Sequence, residues 1–294
     1  MKIKNAFPSV KAGILVAASA ILSVVCIILR TYQMFTCIEL KTGFNIGAEW
    51  LMILLYVLIF GGCIAFCAVS YLSKDTAELQ PMGMKSKSTS VFALVLALQF
   101  LTNWFSNVFG GASTLMGADS AGGFKGMMAS GLITGTLQGV FAFFSMIYMA
   151  VFAFDMMKGT IISSKLKILA IAPAGWASVR LVGRFLSQIS FLEISDLFLE
   201  LVMLSFMAMF FMSFAQVNSG VGSTGLSWRL SGFGYSAALI ALTLFFSRSA
   251  ISLVKGSQVL NQSFLANSAD MFIAVFVMVL VAELLKKDRV NEEV

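Results

Sequence analysis

The chain contains no histidine. That removes the commonest general base and the commonest zinc ligand. It has only three prolines, and charged residues make up 12% of it, about half of what a soluble domain carries. No hydrophilic stretch is long enough to fold as a separate soluble domain. Cysteines number four; Cys26, Cys63 and Cys67 fall inside apolar runs and only Cys37 falls in a loop. This pattern predicts no disulfide framework. Cys63 and Cys67, four residues apart, have neither the extra ligands nor the tighter spacing of a metal or redox pair. They read as small packing residues beside Gly61 and Gly62.

What is present is apolar sequence. Hydrophobic residues make up 59% of the chain and the mean hydropathy is +0.92. Several runs reach about 20 residues, the length that crosses about 30 Å of hydrocarbon. The expected fold is an all-α, polytopic integral membrane bundle forming a single membrane domain over 1–294. About eight transmembrane helices are expected, near 12–33, 49–72, 90–108, 127–154, 168–190, 196–217, 230–252 and 267–285. The N-terminus imitates a secretory signal, but the run from Ala12 to Leu29 ends in Arg30-Thr31-Tyr32 without a small-x-small site. It is read as an uncleaved first span.

The net charge is +6. In a soluble protein this would raise nucleic acid as a partner. Here the basic residues cluster at span ends, where topology and anionic lipid account for them, and no nucleic acid is expected. With the N-terminus inside, thirteen of the 20 Lys and Arg residues fall on inner segments. Five (Arg30, Lys41, Lys125, Arg248 and Lys255) fall on outer ones. The asymmetry predicts both termini in the cytoplasm. Few charges and short loops fit a multi-pass protein of a bacterial inner (cell) membrane.

A tandem repeat is suggested by laying Lys11 onto Lys165 without gaps. Arg30 then meets Arg184, Glu39 meets Glu193, and Ile14, Leu15, Ala18, Ala20 and Val25 also meet identical residues. A second echo closes each half: Phe154-Asp155-Met156-Met157-Lys158 and Ala282-Glu283-Leu284-Leu285-Lys286. The candidate halves are 11–158 and 165–286, in a 4+4 arrangement with both in the same orientation. Asp155 and Glu283, each three residues before a lysine, read as interfacial ion pairs of little energetic weight.

The stretch that carries chemistry is 164–196, a predicted span with Arg180 and Arg184 inside it. Four residues apart, they share one helix face. Arg180 lies thirteen residues past Lys167, about 20 Å along a continuous helix, near the bilayer midplane. Charge at that depth is costly and marks a candidate site. Trp176 lies one turn away, and Pro173 is expected to kink the helix. Glu200 enters the next span by about one turn, level with Arg184, and reads as its partner. At the depth of Arg180 the sequence offers Gln138 and Gln99 and no carboxylate. Arg180, Arg184, Trp176, Gln138, Gln99 and Glu200 are therefore the candidate substrate-binding residues. Two guanidiniums on one face suit a carboxylate or phosphate.

Two other motifs stand out. Gly131, Gly135 and Gly139 recur every four residues, as in close helix–helix contacts within membranes. They predict a tight seam inside the chain, with a contact between two copies as the alternative. Gly220-Val221-Gly222-Ser223-Thr224-Gly225 matches G-x-G-x-x-G but lacks the strand and helix of a dinucleotide site, so it reads as a loop. Asn103 and Asn107 read as packing and interhelical hydrogen bonding.

Three functions compete. The first is a transporter or permease-like protein for a small anionic or polar solute. The second is a non-catalytic subunit or scaffold, packing against other membrane proteins or a second copy. The third, a lipid-directed intramembrane enzyme, lacks a His-based dyad, a metal cluster or paired carboxylates inside the membrane, and no serine has a recognisable base. No catalytic residue, cofactor or metal is expected.

Overall fold

In the computed structural model the described residues are 12–37, 47, 49–72, 85–117, 131–186, 194–221, 225–255 and 264–284. They form eight α-helices and no strand: α1 (Ala12–Thr36), α2 (Glu49–Leu72), α3 (Lys87–Gly117), α4 (Leu132–Lys158), α5 (Ala172–Leu186), α6 (Ile194–Asn218), α7 (Leu226–Lys255) and α8 (Phe264–Leu284). Six of them, α1 to α4 with α6 and α7, are long and apolar enough to cross a membrane. The two candidate repeat halves contribute four helices each.

The distribution of side chains is that of a bundle solvated by lipid. On α1 the buried face carries Ser19, Ser23, Cys26, Arg30 and Gln33, while Ile14, Ile21, Val24 and Ile28 face outward. The helical period is that of any amphipathic helix, with the polar side turned in. Among the described residues, α3, α4, α5, α6, α7 and α8 pack in that order, and α8 returns to α3. Helices α1 and α2 lie against the outside of α7, which is the most deeply buried of the six long helices. Between the helices of the ring sit Phe152 of α4, Phe214 of α6 and Phe276 of α8. Their centroids are 5.1, 6.1 and 6.4 Å apart, each pair edge-on. This is the arrangement that aromatic quadrupoles favour.

The glycine row resolves into two roles. Gly135 and Gly139 face Asn107 of α3; a Cβ added to them would meet that residue at 3.6 and 3.3 Å. They form a seam within the chain, and the Asn107 Nδ2 donates to the Asn103 carbonyl at 2.8 Å. Gly131 stands apart as the cap of α4, with φ of 70°, a conformation that glycine adopts without strain. An equivalent seam joins α5 to α4, where a Cβ on Gly175 would fall 2.5 Å from the Phe141 ring. Cys67 packs against Gly232, as expected for a small residue at a helix crossing. Gly220 and Gly225 have positive φ at the two ends of the α6–α7 loop, whose residues 222–224 lie outside the described residues.

Two expectations are corrected. Pro173 does not kink a span: the α-helix begins at Ala172, after two short 3₁₀ turns, Ser163–Lys165 and Leu169–Ile171. Proline in the first turn loses no helical hydrogen bond, because the amides there have no partner in the helix. Asp155 is not an interfacial ion-pair residue. It is buried and accepts from the Ser163 N–H and the Thr160 hydroxyl, tying down the α4–α5 connection. Lys286, the expected partner of Glu283, lies outside the described residues.

Candidate functional site

The charged residues inside the bundle converge. Arg180 of α5 donates from both terminal nitrogens to Asp270 of α8, the Nη2 bond being 2.9 Å, and from Nη2 to Glu200 of α6 at 3.1 Å. Arg184 donates from Nε to Glu200 at 2.9 Å. Glu200 also accepts from Arg248 of α7 at 3.1 Å, and Arg248 reaches Asp196 at 2.7 Å. Asp196 in turn accepts from Arg30 of α1 at 2.8 Å. Four arginines and three carboxylates from five helices thus form one continuous network. Six of the seven side chains are at most 7% exposed; Arg184, at 29%, is the one on the rim.

Arg180 to Asp270 is a two-pronged pair, the strongest geometry available to a guanidinium and a carboxylate. Below it, Trp176 is fully buried, with the Arg180 guanidinium 5.5 Å from its ring centre and the Phe100 ring edge-on at 5.2 Å. Gln99 is buried on α3 and donates to the Ser268 hydroxyl of α8 at 3.2 Å, next to the Arg180–Asp270 pair in the chain. Gln138 is half-buried on α4 and makes none of the described network bonds. Of the six residues expected at the site, Arg180, Arg184, Glu200 and Trp176 are brought together. Gln99 adjoins them, and Gln138 is left aside.

The network does not lie at mid-span. Glu200 and Asp270 both stand six residues into their helices, about 9 Å from the helix starts. Only eight residues of α-helix, about 12 Å, precede Arg180, because the 3₁₀ turns replace the helix expected from 168. The long arginine stem then carries the charge toward the end where α6 and α8 begin. The expectation that no carboxylate shares its depth is also overturned: Asp270 does. Its signal was legible, since Asp270 lies inside the predicted span 267–285, as Arg180 lies inside 168–190. Arg30 and Arg248, assigned to outer segments from sequence, are likewise buried in the bundle.

Among the described residues no three His, Cys, Asp or Glu side chains converge as metal ligands. The three buried carboxylates here all face guanidiniums. Among the described residues the cluster pairs guanidinium donors with carboxylate acceptors and presents no nucleophile with a base. Compared with protein-family models, curated proteins and solved structures, the chain matches none.

Proposed function

We propose that this multi-pass membrane protein is transporter-like and recognises a small anionic or strongly hydrogen-bonding solute at the arginine network. The observation that carries the reading is a network of seven charged side chains from five helices, six of them buried in an apolar bundle. Each buried ion costs several kcal/mol of desolvation, and apolar side chains of similar volume would hold the helices as well or better. Intramembrane charges on that scale point to function. An incoming anion would compete with Glu200 and Asp270 for the guanidiniums. Releasing either carboxylate loosens α5 from α6 or α8, which is the kind of two-state contact a transport cycle needs.

A second reading has its own support. Each arginine of the network already has a carboxylate of the same chain, so the network can act as a brace. On that reading the protein is a non-catalytic subunit packed against another membrane protein. Melting curves of detergent-purified protein separate the two. A solute that raises the wild-type melting temperature, and leaves Arg180→Leu unmoved, supports the first. No response across a panel of anions and neutral metabolites, with stable co-purification of a second membrane protein, supports the subunit.

The same reading places both termini on the cytoplasmic side of a bacterial-type cell membrane. With Arg30 and Arg248 inside the bundle, the outer segments keep only Lys41, Lys125 and Lys255, against thirteen basic residues on inner segments.

A further inference from the structure

We infer that the α5 face bearing Trp176 and Arg180 holds the acceptor atom of a small monovalent anion, either a carboxylate oxygen or a halide. The inference rests on the solute reading above and names where that solute would be gripped. The Trp176 side chain is fully buried, and its indole N–H meets no acceptor. A buried donor without a partner is destabilising, so such a group marks a place where something is bound. One turn along the same helix, Arg180 spends its terminal nitrogens on Asp270 and Glu200, and its Nε–H has no acceptor among the described residues. The guanidinium lies over the indole, 5.5 Å from the ring centre. The fully buried indole with its unpartnered N–H and the charged guanidinium therefore stack against each other on one helix face.

The chemistry selects an anion. A cation is repelled by Arg180 and finds Asp270 and Glu200 already engaged. A neutral acceptor satisfies one donor without answering the positive field, whereas a single negative charge answers both. The burial of Trp176 and Arg180 limits the occupant to a few atoms, and their enclosure strengthens each bond relative to water.

The test uses the full chain in detergent, with chloride, bromide and acetate as probes and ionic strength held by gluconate, a much bulkier anion than any of the three. Melting temperature is read for wild type and Trp176→Phe. The variant keeps an aromatic ring beside Arg180 and removes the unsatisfied N–H together with part of the buried indole volume. We expect at least one probe to raise the wild-type melting temperature. Trp176→Phe should melt lower than wild type in gluconate because of its lost core volume, and its half-saturating probe concentration should rise at least tenfold. If both proteins respond alike, the anion binds elsewhere in the network; this inference fails and the solute reading stands. If no probe moves the wild-type curve, the inference fails, while the broader solute panel still judges the reading. Should Trp176→Phe not fold, a bromide-soaked wild-type crystal decides. An anomalous peak within hydrogen-bonding reach of Trp176 Nε1 is required, and a peak only elsewhere refutes the site.

Discussion

Replacing Asp270 by asparagine removes a charge from the network and almost no volume. Arg180 then keeps one charged partner, Glu200, which it shares with Arg184 and Arg248. One prong of the Arg180–Asp270 pair can survive on the amide oxygen, but the other meets an NH₂ that cannot accept and the neutralising charge is lost, inside a region where neither side chain exceeds 7% exposure. Breaking a buried pair in this way costs about 3–5 kcal/mol, most of it the stranded charge. The double variant Arg180→Leu/Asp270→Leu strands nothing. Glu200 retains Arg184 at 2.9 Å and Arg248 at 3.1 Å, so the network closes without this link at one of its ends. Its cost should fall within about 1.5 kcal/mol of wild type, with a coupling energy of about 3 kcal/mol or more between the two sites. Unfolding in mixed detergent micelles by increasing SDS fraction, followed by circular dichroism, measures the cycle of wild type, Arg180→Leu, Asp270→Leu and the double variant, with Asp270→Asn as the volume-matched single change. Additive costs for the two single changes would show that Asp270 does not neutralise Arg180, and the network as described would be wrong.

The remaining expectations concern packing, the α4–α5 connection and topology. Gly175→Ala places a Cβ against the Phe141 ring and should cost about 1–3 kcal/mol in the same assay, whereas Gly61→Ala, with nothing within 4 Å, should be neutral or stabilise by up to about 1 kcal/mol. Asp155→Ala leaves the buried Ser163 N–H without its acceptor and should cost about 1–3 kcal/mol, with faster amide exchange at 160–165. Cysteines placed at the exposed positions Lys165 and Gly47 should react with a membrane-impermeant maleimide from opposite sides, Lys165→Cys only when the cytoplasmic face is open. Cys26, Cys37 and Cys63 are buried, the half-buried Cys67 is replaced by serine to keep the background low, and labelling of both positions from one side would contradict the proposed topology.

How much was legible in the sequence depended on whether a property is local. Helix number and the membrane environment follow from long apolar runs, because a chain in lipid must close its backbone hydrogen bonds within each segment. The Gly135–Gly139 seam was readable too, since spacing on one helix fixes which residues share a face. So was Arg184 beside Glu200, only 16 residues apart across one turn. Asp270 as the partner of Arg180 was not, at a separation of 90 residues, nor was Arg30 on Asp196 at 166. Which helices adjoin, and how deep each charge finally sits, depends on the packing of the whole ring. Near a span end a charge reads equally well as a loop residue or a buried ion. Arg30 and Arg248 were of that kind, and only the carboxylates of α6, brought beside them by the fold, made them part of the interior.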